Sequence, residues 1–264
     1  MSFINRSYRM LLISHIFIFT VIIIQIIPWY MGILLLIAFF IVQSSKYGTN
    51  TNIYSICLLY IIGFLISEII RTNILDMNLP IEWKVILSRF SLIGFILPFY
   101  IKSKYDKTDI RFLSIGSFTN TIYFPFIWSG IVKDPIWRFL IISSTIIIFS
   151  CSFIIDFEQP GLLSMFIYAI LFSTVNSILE EILWRGYILH SFVSRWGEKC
   201  GLLITSVGFG FYHYSLGIPW SMCALFSLFG MLMGGLAIRS NGLLAVIILH
   251  FLMNIIFVLI GMIF

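Results

Sequence analysis

Two adjacent glutamates, Glu180 and Glu181, stand with Arg185 inside an apolar run over 161–194, GLLSMFIYAILFSTVNSILEEILWRGYILHSFVS. A charged side chain at the centre of a bilayer costs about 2.5–3.5 kcal/mol on insertion scales, so each of these needs a reason. Helical spacing separates the two carboxylates. Arg185 follows Glu181 by four positions and shares its face, so the two can pair. Glu180 is turned about 100° away and lies on the side of Asn176, one turn earlier. Glu181–Arg185 therefore reads as an orienting pair, and Glu180 as the carboxylate left to do chemistry. The structural alternative is a buried ion-pair cluster that only ties helices together.

Two further apolar runs carry histidine. His213 lies in GFGFYHYS, and His250 lies in ILHFLMN with Asn254 one turn later on the same face. A lone membrane histidine is more often an interhelical hydrogen bonder than a catalyst. Three polar sites on three separate runs are harder to explain that way. Counted from the basic ends of their helices at 1.5 Å per residue, Glu180, His213 and His250 lie roughly 22, 18 and 12 Å deep, compatible with one shared cavity. His15 and His190 are read as ordinary packing residues.

Peptide hydrolysis needs a base to activate water and donors for the oxyanion of the tetrahedral intermediate. Glu180 with His213 can hold and deprotonate the water, and His250 with Asn254 can donate to the oxyanion. The same atoms offer a second solution, in which Glu180, His213 and His250 ligate zinc and water takes the fourth position. The residues alone leave both open. No HExxH, Ser–Lys or GxSxG arrangement is present, and no cysteine joins the cluster.

These residues need a frame that buries them, and composition says which. The chain has 264 residues, of which 60% are hydrophobic and only 10% charged, with a mean hydropathy of +1.06. Soluble domains are about 25% charged. A soluble enzyme, a disordered chain and a disulfide scaffold are therefore poor fits, and a polytopic membrane protein remains. The net charge of +5 is read as cytoplasmic loops facing anionic lipid, not as a nucleic-acid surface. Cys57, Cys151, Cys200 and Cys223 show no paired spacing and are expected as free thiols.

Apolar runs predict spans at 10–27, 29–43 (hinged at Pro28), 53–70, 85–101, 139–155, 161–194, 201–217, 219–237 and 242–264. The first is read as a retained helix, not a signal peptide, and the apolar C-terminus carries no lipidation signal. The stretch 112–132, broken by Gly116, Asn120, Pro125 and Gly130, is expected at the cytoplasmic interface without crossing. This arrangement puts Arg6, Arg9, Lys46, Lys102, Lys104, Lys107, Arg111, Lys133, Arg138, Arg195, Lys199 and Arg239 inside, with a cytoplasmic N-terminus and an outside C-terminus. Arg71, Lys84 and Arg89 fall outside or near that surface. The expected fold is an all-α transmembrane bundle of about eight or nine spans. Residues 1–155 read as accessory helices and 156–264 as the catalytic core of one integrated membrane domain.

The motifs resemble those of the CAAX-processing and bacteriocin-processing intramembrane proteases, the CPBP or Abi family. Glu180-Glu181-Ile182-Leu183-Trp184-Arg185-Gly186 is similar to its EExxxR-G motif, Phe209 and His213 to FxxxH, and His250 and Asn254 to HxxxN. The resemblance covers about residues 160–258, with Trp184 in place of the more usual Phe. It implies a cavity among the last four core helices, open toward the cytoplasmic side. It also implies catalytic roles for Glu180, His213, His250 and Asn254, with Glu181, Arg185 and Phe209 shaping the site. A mechanism without metal is preferred, with zinc as the variant. The Ile-rich composition reads as bacterial, which implies the cytoplasmic membrane and a membrane-associated peptide or protein substrate. The competing function is a non-proteolytic scaffold, for bacteriocin immunity or signalling, that binds a membrane partner. A proton-coupled transporter would favour paired repeats, and none is found.

Overall fold

The computed structural model describes residues 15–44 and 51–263. Arg6, Arg9, Lys46 and Phe264 lie outside the described residues, as does the start of the first span. Helix α1 (His15–Ile26) ends just before Pro28, whose ring and missing N–H interrupt the helical ladder, and α2 (Trp29–Ser44) follows. Helix α3 (Thr51–Leu75) is followed by α4 (Ile81–Ser88) and α5 (Ser91–Tyr105), the last two joined only by Arg89 and Phe90. The chain then leaves helical structure. Strands β1 (Thr121–Phe126) and β2 (Ser129–Pro135) form an antiparallel hairpin.

Helix α6 (Ile136–Ser152) leads to α7 (Leu162–Glu181). α7 runs through a π-helical segment (Ile182–Leu189) into α8 (His190–Trp196), so that Leu162–Trp196 is one apolar rod of 35 residues. Helix α9 (Glu198–Tyr212) ends in a 3₁₀ turn (His213–Leu216), and α10 (Trp220–Ser240) and α11 (Leu244–Leu259) complete the bundle.

Among the described residues four helices are long and apolar enough to cross a bilayer: Ile53–Leu75, Ile81–Tyr105, Leu162–Trp196 and Trp220–Ser240. His15–Ile26, Trp29–Ile41, Ile136–Ser152 and Leu244–Leu259 are shorter apolar helices. The helical membrane architecture expected from composition is present. The hairpin is an addition that hydropathy did not signal. Its strands are too short and too irregular in composition to show a clear two-residue alternation. The expectation that 112–132 does not cross as a helix agrees with it.

Packing joins the front and back of the chain. Phe17, Tyr60 and Phe95 from α1, α3 and α5 meet Trp184 of the π segment in one aromatic core, with Tyr60 edge-on to Phe95 at 4.9 Å and to Trp184 at 6.0 Å. A second core forms under the hairpin from Phe112, Ile136, Leu189, Leu202, Leu236 and Val246. At that end the loop before the hairpin is stitched to the α10–α11 turn. Ser117 N–H donates to Ser240 O at 2.8 Å, Leu243 N–H to Ser114 O at 2.8 Å, and Arg239 Nε to Thr121 O at 2.8 Å.

Helices α9 and α10 come unusually close. A Cβ on Gly210 would lie 2.1 Å from Ser227 Oγ and 2.4 Å from Cys223 O, so only glycine fits there. Gly230 and Gly234 of the GMLMG stretch serve the same contact from the other side, against Ser206 and Leu202. That stretch is thus spent within the chain. All four cysteines are free, as expected.

Candidate functional site

The inward stripe of α7 is Ala169, Phe172, Ser173, Asn176, Ser177, Glu180 and Glu181, spaced at helical intervals and buried. Ser173 and Ser177 are small, and Ser177 Oγ satisfies itself on Ser173 O at 2.6 Å, which lets α11 pack against this face. Asn176 and Glu180 follow along the same stripe. The helix then passes into the π segment, a geometry often found at functional sites because it inserts an extra residue in the ladder and re-aims side chains.

Glu180 and Glu181 are 1% and 0% exposed, yet their surroundings differ completely. Glu181 Oε1 accepts from Arg185 Nη1 at 2.8 Å and from His250 Nδ1 at 2.7 Å. The guanidinium of Arg185, itself 3% exposed, lies over the Phe209 ring with Cζ 4.1 Å from the centroid. The expected Glu181–Arg185 pair is therefore present, and it holds a histidine that the sequence reading kept separate. Neither oxygen of Glu180 has a hydrogen-bond partner among the described residues. The nearest cation candidate is His250, whose Nε2 stands 3.7 Å from Glu180 Oε2.

His213 begins the 3₁₀ turn after α9. Its Nδ1 lies 2.8 Å from Phe209 O. A carbonyl can only accept, so Nδ1 carries the proton, and in the neutral ring Nε2 is left as an acceptor. Phe209 sits between the partners, with its ring 4.8 Å from that of His213 and 6.3 Å from that of His250. On α11, His250 and Asn254 are four apart and both buried, and Asn254 Nδ2 has no partner among the described residues.

A cavity of about 120 Å³ gathers these groups. Glu180, Asn176, Phe209, His213, His250 and Asn254 all line it, with apolar walls from Phe172, Phe226, Phe229, Met233, Met253 and Phe257. Glu181, Arg185 and Trp184 are not on the wall. They stand behind it, with Trp184 packed edge-on to Phe209 at 5.7 Å. His190 stays outside the site, although it does find a polar partner: Arg111 N–H donates to its Nδ1 at 3.2 Å.

Two features of the cavity differ from expectation. Arg89 lines it, although the sequence reading assigned this residue to the outer end of a span. Its signal was available: Val85, Ile86, Leu92 and Ile93, its neighbours at helical spacing, are all apolar, so nothing nearby pairs it. The second concerns sidedness. The cavity wall includes Leu216 and Ile218 of the α9–α10 turn, and Met262, which is 37% exposed, and Ile263 beyond α11. The cavity thus reaches the surface at the bundle end opposite the basic cluster of Arg111, Lys199 and Arg239. The charge distribution puts the α9–α10 turn outside, whereas the resemblance implies a cavity open to the cytoplasm. The two expectations cannot hold together, because one α9 helix separates Lys199 from the cavity mouth.

Zinc would need Glu180, His213 and His250 to converge. Among the described residues no group of three or more His, Cys, Asp or Glu side chains is arranged to hold a metal ion. As placed, the three side chains do not converge into such a group.

Fold and cavity define a polytopic helical membrane protein with a buried carboxylate, two histidines and an amide facing one chamber. Residues 161–256 match the family model described as Rce1-like, type II CAAX prenyl endopeptidase. The chain therefore carries a CAAX-protease domain of the CPBP family in its C-terminal half. No curated protein and no solved structure matches the chain. The family is one of peptide hydrolases, and the matched segment contains Glu180, His213, His250 and Asn254 but not Arg89.

Proposed function

We propose that the protein is an intramembrane endopeptidase acting on a membrane-associated peptide or protein, through Glu180, His213, His250 and Asn254. The observation that carries this reading is the contrast between the two glutamates. Glu181 Oε1 is held by both Arg185 and His250, leaving only Oε2 without a partner, while among the described residues Glu180 has neither oxygen hydrogen-bonded and stands on the cavity wall. A scaffold gains nothing from an unsatisfied buried carboxylate, since such a group costs stability.

Glu180 and the Nε2 of His213 are both acceptors. A water between them donates one hydrogen to each, which leaves an oxygen lone pair for attack on the scissile carbonyl. Glu180 takes the proton as the C–O bond forms and returns it to the departing amine nitrogen as the C–N bond breaks. The oxyanion is met by Asn254 Nδ2–H, a donor without a partner among the described residues. His250 has Nδ1–H committed to Glu181, so it donates from Nε2 only as imidazolium. This account requires no metal.

The test uses purified protein in detergent with a quenched membrane-peptide library. Wild type is expected to cleave, and Glu180→Ala and His213→Ala to lose at least a hundredfold in rate. Equal turnover in all three would remove the protease reading and leave the scaffold. Chelator treatment with metal analysis of the same samples tests the zinc variant. Stoichiometric zinc lost from His213→Ala together with activity would overturn the metal-free account.

A further inference from the structure

Gln25 is a polar residue in the apolar helix α1, outside the segment that the family model matches. Its amide reaches across to the turn that carries His213. Oε1 accepts from Ser215 N–H at 2.7 Å, and Nε2 donates to Phe211 O at 3.1 Å. Nε2 also donates to Val21 O, one turn back on α1. The two amide atoms can be placed only this way round, because a backbone N–H donates and a carbonyl accepts. The long-range bonds thus land two positions before His213 and two positions after it. That turn needs holding from outside. The α-helix stops at Tyr212, and His213–Leu216 forms a 3₁₀ turn, whose own hydrogen bonds have poorer geometry. Gly217 then ends it at φ +89°, with no neighbour within 4 Å of where a Cβ would stand.

Packing α1 against α9 does not call for these bonds. Phe17 already supplies it: a Cβ on Gly208 would lie 2.9 Å from the Phe17 ring, which also meets Phe192 edge-on at 4.8 Å. We propose that Gln25 is a positioning residue, whose amide fixes the backbone on both sides of His213 and so fixes where His213 Nε2 holds water against Glu180. This rests on the endopeptidase reading and adds to its machinery a residue from the front of the chain. His213 has Nδ1 bonded to Phe209 O, so its ring moves with the backbone of its own segment. A loosened turn carries Nε2 away from the water, and a misplacement of about 1 Å costs about a hundredfold in rate. A protonated glutamic acid at this position would reproduce both long-range bonds, with O–H donating to Phe211 O and C=O accepting from Ser215 N–H. The ionised carboxylate has no donor, and its charge stands against the Phe211 carbonyl.

The test uses the full chain in detergent with a peptide that the wild type cleaves. Gln25→Met keeps the size of the side chain and removes both bonds. It is expected to lower kcat about tenfold to a hundredfold, with KM changed by no more than about twofold. Gln25→Glu is expected to match wild type near about pH 5 and to fall to the Gln25→Met rate by about pH 8, as its carboxyl ionises. Rates are taken as ratios to wild type at each pH, which removes the titration of His213 itself. A role in packing alone gives no such pH-dependent rescue. Wild-type kcat in Gln25→Met, a loss confined to KM, or a Gln25→Glu ratio that stays flat with pH would overturn the proposal. Melting temperatures at each pH check that the variants are folded, and Gln25→Glu across the pH range carries the test if Gln25→Met fails to fold. The placement of His213 is also read without turnover, from its ring nitrogen resonances in ¹⁵N-histidine-labelled protein, assigned by their loss in His213→Ala. Gln25→Met should shift or broaden them and leave those of His190 in place. Unmoved His213 resonances would overturn the proposal whatever the rates. A Gln25→Met shift in a protein whose wild type cleaves nothing would retain the contact and remove the protease.

Discussion

His250 donates its Nδ1 hydrogen to Glu181 Oε1 at 2.7 Å, across 69 positions of sequence. That one oxygen also accepts from Arg185, so a single carboxylate ties the π segment of the long helix to α11. The histidine that faces the cavity is thus held from behind by the glutamate that does not. The motif residues divide into those on the wall and those that aim them.

This division predicts opposite stability effects for neighbouring glutamates. Glu181→Gln leaves Arg185 as an uncompensated buried cation and weakens the hold on His250. It should lower stability by about 3 kcal/mol or more, read as a fall in melting temperature in detergent. Glu180→Gln removes a buried charge that has no hydrogen bond among the described residues, only His250 Nε2 at 3.7 Å, so its melting temperature should hold or rise while turnover is lost. A well-folded Glu181→Gln with normal activity would argue against the pairing.

Asn254→Ala should act on rate and spare the fold. Among the described residues its Nδ2 has no partner to lose. Removal of an oxyanion donor costs about a hundred- to a thousandfold in kcat. Steady-state kinetics on a peptide that the wild type cleaves should show that loss in kcat with KM little changed. A defect confined to KM would assign Asn254 to substrate binding.

Gly210→Ala should force α9 from α10, because the added Cβ meets backbone at Cys223 and the Ser227 hydroxyl. Overpacking of this kind costs about 1–3 kcal/mol. His213 follows Gly210 by less than one turn, so activity should fall with the melting temperature. Unchanged unfolding would mean that the helices have room to separate.

The sidedness conflict is open to labelling. In a background with the native cysteines replaced, Ser221→Cys reports the cavity end and Lys199→Cys the basic end. If the basic cluster faces the cytoplasm, a membrane-impermeant thiol reagent added to intact cells should label Ser221→Cys. Lys199→Cys should then label only after permeabilisation. The reverse pattern would place the cavity mouth on the cytoplasmic side and break the positive-inside rule for this chain.

What the sequence determined by itself was whatever depends on short spacing and on transfer from water. Low charge and high hydropathy required a membrane bundle. Four positions on one helix sufficed to pair Glu181 with Arg185 and to put His250 beside Asn254, because helical geometry fixes which side chains share a face. Gly116, Asn120, Pro125 and Gly130 were enough to keep 112–132 from forming a crossing helix. Tertiary structure decided the rest. The His250–Glu181 bond joins helices whose relative rotation follows from packing, which no periodicity encodes. Arg89 reached the cavity because α4 and α5 pack beside α7; its apolar neighbours at helical spacing marked it as locally unpaired, but not which wall it would join. The end at which the cavity opens was also a property of the assembled bundle. Depth along a helix can be counted from sequence, but the lateral gap between helices is set by where glycines such as Gly210 let backbones meet and where Phe and Met side chains hold them apart.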